Sequence, residues 1–325
     1  MVSRLDRVVL LLGLAGMFWL AGCASQGGGR SAAGAPAGVQ SGEVSGVDAS
    51  ELTSREHSEW WAHVSEQLAP CPDQPVSIAQ CVNEGRPCRA CLPAAQFLLR
   101  QVELGRTRSQ IEQAFLLRFD PEVPVPLSNE DAPWKGAAQP VVTIAEWADF
   151  QCPFCALAAP FLDYAAQAYP DHVRVVYHFY PMEYHQYARA EAQAAFAAQQ
   201  QGKFWPYHDL LYKYREKLSD ALLRELAQQV GLDLERFDAD RASPAASDRV
   251  ENDRKQADAL GLRGTPMLYV NGRYFDLEQF DLFQELMPWV STEIEIATGE
   301  KVKPRRVRGF DPRALPSAGT HGGAP

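Results

Sequence analysis

Apolar residues along this chain fall into blocks of different period. An unbroken apolar run, Val8 to Leu20, stands behind Arg4 and Arg7. It is shorter than the roughly 20 residues a bilayer span takes, which marks a targeting segment. From Ala24 to Ser50 the chain is Gly, Ala and Ser with almost no large apolar side chain, the composition of a flexible tether. Between 51 and 127 the period becomes helical. Trp60, Trp61, Val64 and Leu68 recur near helical spacing, and Ala94 to Leu104 reads as a second helix closed by Gly105. Thr107-Arg108-Ser109-Gln110 is a capping box for a third helix, with Ile111, Phe115 and Phe119 on one stripe. Asp120-Pro121 ends it, and a proline-rich linker leads on through Pro124, Pro126 and Pro133.

The period shifts again after this linker. Val141 to Phe150 and Val173 to Tyr180 are rich in β-branched and aromatic residues and predict buried strands. Ala156 to Leu162 reads as the opening of a helix between them. Helices are expected at Ala188–Gln201, Asp220–Val230 and Asp248–Leu260, each followed by a glycine (Gly202, Gly231, Gly261) where a left-handed cap is wanted. Met267–Val270 and Arg273–Phe275 flank Asn271-Gly272, a strong hairpin signal. A last helix is expected from about Leu277, with Pro288 as a kink, and residues 301–325 form a Pro/Gly/Arg-rich tail expected to fray. The order is strand, helix, strand, helical insertion, hairpin and helix, an α/β domain over 140–300 behind a linker at 128–139. Of the 325 residues 46% are hydrophobic, enough for a globular core, and the net charge of −10 argues against a nucleic-acid surface.

The chemistry concentrates in Cys152-Pro153-Phe154-Cys155, placed where a strand gives way to a helix. Unpaired N–H groups and the helix dipole stabilise an anion there, and a thiolate is the anion on offer. A zinc site would need two further soft ligands nearby, and none is evident. Gly264-Thr265-Pro266 lies after a capping glycine and at the head of a hairpin strand, which points to a cis Thr265–Pro266 bond that would turn the Thr265 backbone toward a substrate strand. Glu146, inside an apolar strand, is either outward-facing or a buried proton acceptor for Cys155. Asp149, nearer the loop, is expected in solvent, and His178 and His185 are expected to be packing or surface residues. Seven cysteines divide into Cys23, the CPFC pair, and Cys71, Cys81, Cys88 and Cys91. The last four allow two structural disulfides of unknown pairing, a four-cysteine zinc site, or a second redox couple.

The phrases "EWADFQCPFC", "VRVVYHFYPMEYH", "QGKFWPYHDLLY", "VGLDLERF" and "LGLRGTPMLYVNG" resemble the DsbA-like branch of the thioredoxin superfamily, in register from Pro140 to Thr298. The resemblance implies a thioredoxin-like α/β fold with a helical insertion, here preceded by the small Cys-rich helical region of 51–127. It implies that Cys152 attacks and Cys155 resolves, that Thr265 and Pro266 flank the redox-active disulfide as the substrate-binding pair, and that Glu146 is the buried catalytic carboxylate. It further implies a thiol–disulfide oxidoreductase, favoured as a dithiol oxidase, that needs no cofactor and no metal. Isomerase or reductase action on the same fold, or a non-enzymatic binding module, are the alternatives. Its expected partners are exported proteins with cysteine thiols and a membrane-bound, quinone-linked recycling partner. Leu20-Ala21-Gly22-Cys23 resembles the lipobox of bacterial lipoproteins. That implies removal of residues 1–22, acylation of Cys23, a tether over 23–50 and an envelope location facing the periplasm. An ordinary signal peptide is the alternative. Ala24, rather than Asp, leans toward the outer membrane.

Overall fold

The computed structural model describes residues 42–309, so Cys23, the targeting segment and the chain from 310 onward lie outside the described residues. Local signals set the helical region. Helix α1 (Ser54–Glu66) opens on a capping box, with Thr53 accepting from the Glu56 N–H and Glu56 accepting from the Thr53 N–H at 2.8 Å. Ser77 caps the short α2 (Ile78–Asn83). Helix α3 (Cys91–Glu103) begins three residues before the apolar stripe suggested, because Pro93 sits in the first turn, where its missing N–H has no intrahelical partner to lose. Thr107 and Gln110 form the second capping box, at the head of α4 (Arg108–Phe119).

Five strands follow: β1 (Trp134–Gly136), β2 (Val142–Ala148), β3 (Val173–Phe179), β4 (Met267–Val270) and β5 (Arg273–Phe275), with helix α5 (Pro153–Ala168) between β2 and β3. Their spatial order is β1-β3-β2-β4-β5. Only β2 and β3 run parallel, as the α5 crossover requires; the other pairs are antiparallel. Between β3 and β4 lie α6 (Ala188–Gln200), α7 (Phe204–Tyr214), α8 (Asp220–Gln229), α9 (Leu234–Arg241) and α10 (Pro244–Ala259). Helix α9 escaped the periodicity reading because Phe237 is its one buried residue. Helix α10 starts ahead of Asp248 because Ser243 caps it and Pro244 takes the first helical position. Likewise α11 (Leu282–Thr298) starts beyond Leu277, where Asp281 accepts from the N–H groups of Phe283 and Gln284. It continues through Pro288.

One face of the sheet, with Ile144, Val175 and Leu268, packs under α5 and α11 in a core that also takes Trp60, Leu98, Ile111 and Phe119 from the helical region. Polar contacts reinforce that union. The buried Arg118 guanidinium lies 4.8 Å from the Trp289 ring, Arg106 pairs with Glu285 at 3.0 Å, and Arg273 donates to the Asp120 carbonyl at 2.6 Å. The opposite face packs Trp147, Val176 and Tyr269 against α10. A third cluster joins Phe150, Tyr177 and Phe179 to the inserted helices.

Parts of the stretches assigned to tether and tail are docked. Val44 is buried, the Ser45 N–H donates to Asn83 at 2.9 Å, Val302 and Val307 pack on the core, and the Arg305 N–H reaches the Ala168 carbonyl at 2.8 Å. A few valines in otherwise small or charged surroundings are enough to hold such segments down. Among the described residues no helix is long and apolar enough to cross a membrane.

Candidate active site

Strand β2 delivers the chain to the head of α5. Cys152 is the N-cap residue, with extended backbone, and Pro153 opens the helix. Cys155 lies one turn in and is fully buried, whereas Cys152 is 5% exposed. Both are free thiols in this structure. The two are electrostatically unlike. Cys152 is lowered to about 6, chiefly by the Cys155 thiol hydrogen-bonded to its sulfur, against the opposing pull of burial; Thr265 and the N–H groups of Cys155 and Phe154 add to the lowering. Cys155 is pushed well above the usual thiol range by burial first and by Cys152 second. Near neutral pH the pair therefore holds one thiolate and one thiol.

The Thr265–Pro266 bond is cis, and Cys152 Sγ lies 3.2 Å from the Thr265 carbonyl oxygen. Beside it a cavity of about 530 Å³ is lined by Leu262, Pro266, Met267, Tyr269 and Tyr274. Phe154 and Leu157, on the first turns of α5, are 60% and 51% exposed, and the exposed Tyr184 lies close enough to feel the Cys152 charge. The rim of the site thus mixes these apolar side chains with the charged Arg263, Asp276 and Glu278.

Glu146 is 1% exposed. Side chains alternate along a strand, so it shares the α5 face of the sheet with Ile144 and Ala148 and pairs in register with Tyr177. Burial pushes its carboxyl up to about 8, partly offset by Lys135, and Oε2 has no hydrogen-bond partner. Tyr177 and Tyr212 each feel both Glu146 and Cys155, which sets the three beside the buried thiol. The outward-facing alternative for Glu146 does not hold.

The expectation of a solvated Asp149 is also corrected. It is 2% exposed and accepts from the N–H groups of Gln151 and Met182, each at 2.7 Å, while His185 Nδ1 lies 2.9 Å from it. Its backbone carbonyl accepts from the Cys152 N–H at 3.1 Å, so carboxylate and carbonyl together pin the loop that presents the first thiol. His178 is buried, stacked on Trp147 at 4.3 Å and held between Asp253 and Asn129, each at 3.0 Å. Glu191 on α6 escaped the sequence reading. It is fully buried with both oxygens unpartnered, and burial, then Asp149, pushes it up to about 8. A signal was present: Glu191 shares a helical face with Ala188 and Ala195 inside an alanine-rich run.

Cys71 is bridged to Cys88, and Cys81 to Cys91. The Sγ atoms of Cys81, Cys88 and Cys91 all lie within 4.8 Å of one another.

A parallel β2–α5–β3 unit with a C-x-x-C pair at the helix head and a cis-proline opposite it defines a thioredoxin-fold protein with a dithiol centre. Residues 143–287 match the family model of the DSBA-like thioredoxin domain, and this chain carries that domain. Among curated relatives, the chain is 37% identical over 150 residues to Na(+)/H(+) antiporter NhaA 3 of Salinispora tropica, a match of 46% of this chain and 23% of that protein. It is 36% identical over 154 residues to Na(+)/H(+) antiporter NhaA of Herminiimonas arsenicoxydans, covering 47% and 23%. The match thus spans about a quarter of those relatives. Among solved structures, a thioredoxin-like oxidoreductase from Silicibacter pomeroyi is 30% identical, with a TM-score of 0.41, over 45% of this chain and 83% of that one. BdbD from Bacillus subtilis is 21% identical, with a TM-score of 0.44, over 53% and 98%.

Proposed function

We propose that this protein is an envelope thiol–disulfide oxidoreductase that oxidises pairs of cysteines in exported client proteins through Cys152 and Cys155. The observation that carries the reading is the asymmetry of the two thiols. In the oxidised enzyme a client thiolate attacks Cys152 Sγ; the Cys152–Cys155 bond breaks and Cys155 leaves, taking a proton. Glu146, in the same buried compartment, is placed to supply or accept that proton. The second client thiol then attacks the client sulfur of the mixed disulfide and expels Cys152. A sulfur held down to about 6 is a good leaving group near neutral pH, which favours release of an oxidised client. Thr265 and Pro266 would line the client segment, and a membrane-bound partner would remove the two electrons left behind.

The test is exchange with a reduced dithiol peptide. Oxidised wild type should form peptide disulfide, whereas Cys152→Ala and Cys155→Ala, which have no disulfide to donate, should not; Cys155→Ala should instead hold a mixed disulfide through Cys152 when given the oxidised peptide. Equilibration with glutathione then separates directions: a couple more oxidising than the glutathione pool supports an oxidase, and a more reducing one supports a reductase. The proposed lipid on Cys23 is tested by membrane fractionation beside Cys23→Ser. Equal release of both into the soluble fraction would leave an ordinary signal peptide as the better account.

A further inference from the structure

Cys88 and Cys91 are spaced C-x-x-C in their own right, and the Cys91 N–H donates to the Cys88 carbonyl at 3.3 Å across a turn at the head of α3. They are not bonded to each other. Cys88 is bridged to Cys71, yet its sulfur lies within 4.8 Å of both sulfurs of the Cys81–Cys91 bridge. It therefore abuts a disulfide to which it does not belong, close to the contact from which a thiolate displaces a sulfur. A turn of this kind also brings its end Cα atoms under about 7 Å, near the range a disulfide spans.

Burial across the four cysteines is graded. Cys81, Cys91 and Cys88 are 1%, 2% and 7% exposed, while Cys71 is only partly buried. Cys71 lines a cavity of about 390 Å³ with Leu68, Pro70, Pro72, Phe115 and Leu116. Leu68 is 64% and Leu116 48% exposed. A thiol flanked by apolar side chains would meet Cys71 first.

We propose that these cysteines form a second thiol–disulfide centre, with Cys71–Cys88 as its entry bond, Cys88 as its internal exchange sulfur, and a dithiol polypeptide segment with apolar flanks as its substrate. One substrate thiolate attacks Cys71 Sγ, the Cys71–Cys88 bond breaks, and Cys88 leaves as a thiolate. The second substrate thiol displaces Cys71, so the substrate departs as a disulfide and two electrons stay on Cys71 and Cys88. Cys88 then attacks Cys91 Sγ. A Cys88–Cys91 bond forms, Cys81–Cys91 breaks, and Cys81 leaves as a thiolate, with the number of disulfides unchanged. Each departing sulfur recovers a proton from water.

The centre stands apart from the CPFC pair. Arg89 donates to the Ala297 carbonyl, near the end of α11, at 3.1 Å, and Ser291, one to two turns earlier, hydrogen bonds to Tyr169, which follows α5. Cys152 caps the other end of α5, a helix of 16 residues and so about 24 Å long. Direct exchange between the two centres within one chain is excluded by that length.

The experiment uses the full chain carrying Cys152→Ala and Cys155→Ala, so that its result does not depend on the reading of the CPFC site. The protein is titrated with dithiothreitol, acid-quenched, alkylated and cleaved after Asp73, Glu84 and Arg89, which puts each of the four cysteines on its own peptide. At two-electron reduction the expected result is a mixture of two single-bridge forms, Cys88–Cys91 in some molecules and Cys81–Cys91 in the others, with Cys71 free in both. Adding Cys71→Ser should give the same mixture of single-bridge forms with no reductant. A Leu-flanked dithiol peptide should reduce the centre about tenfold more slowly when Leu68→Asp and Leu116→Asp are introduced, with dithiothreitol unaffected. Cys81–Cys91 as the sole remaining bridge in both experiments, or bridges that yield only as the far-UV signal collapses, would overturn the proposal.

Discussion

At the scale of single residues, the site holds two buried acids of opposite tendency. Cys152 is a thiol held down and Glu146 a carboxyl held up, and each makes a pH prediction. Alkylation of the reduced protein by limiting iodoacetamide should rise with a midpoint near pH 6 and label Cys152, with Cys155 silent near neutrality. Mass spectrometry reads this, and preferential labelling of Cys155 would reverse the assigned roles. A depressed pKa means that the unfolded chain binds more protons. Cys152 therefore adds stability to the reduced protein at high pH, and that contribution is lost as pH falls through about 6. The sign is opposite for Glu146. Its folded pKa of about 8 lies above the unfolded value, so its favourable contribution is present in full below about pH 4.5 and is lost as pH rises toward 8. Glu146→Gln should remove that slope, leaving the variant more stable than wild type at pH 9 by on the order of 5 kcal/mol, with little difference at pH 5. Denaturant unfolding at the two pH values checks it, and equal differences at both would contradict the buried, protonated state.

At the scale of elements, the edge of the sheet can be separated from the site. Strand β1 pairs with β3 through Gly136, which has a φ of +99° and would bring an added Cβ to 2.2 Å from the Val173 carbonyl oxygen. Gly136→Ala must move β1 or strain it, at a cost of roughly 1–3 kcal/mol. Thermal unfolding should show the loss, while exchange activity per folded molecule stays near wild type because the CPFC loop hangs on β2 and not on β1. A variant as stable as wild type would mean that β1 contributes little to the sheet. The Thr107 capping box was readable ahead of the structure because its side chain satisfies an N–H only three residues away, while the Ser77 cap of α2 and the Ser243 cap of α10 went unread. The stripe of α7, with Phe204, Tyr207, His208, Leu211 and Tyr212 at helical spacing, was legible too and went unread, whereas α9, with Phe237 as its one buried residue, needed the folded context.

At the scale of the whole molecule, the cysteine-rich helices and the DSBA-like domain share a core through α11. Trp289 packs on Phe275 and Phe280 on its sheet side and takes the Arg118 guanidinium from α4. Described residues 42–309 should accordingly unfold in one cooperative step, with far-UV dichroism and tryptophan fluorescence coincident. Trp289→Ala should lower that single transition by about 3–5 kcal/mol. Two separated transitions, one sensitive to reduction of the Cys71–Cys88 and Cys81–Cys91 bridges and one not, would show instead that the two parts fold independently.

The sequence by itself determined what short-range chemistry dictates. The strand running into Cys152, the helix behind it, the glycines that close the inserted helices and the Asn271-Gly272 hairpin are all written within a few neighbouring residues. Family resemblance added the partnership of Cys152 with Thr265 and Pro266, which lie more than 100 residues apart. Only the tertiary structure decided what covers each face. Alternation marks Glu146 as one face of β2, but α5 above it, not its neighbours in the chain, makes that face dry. Asp149 was misread for the same reason, since the N–H groups that hold it indoors come from Gln151 and from Met182, 33 residues away. The pairing of Cys71 with Cys88 and of Cys81 with Cys91 likewise follows from how α2 packs on the head of α3, because bridging depends on distance in space and four cysteines allow three connectivities.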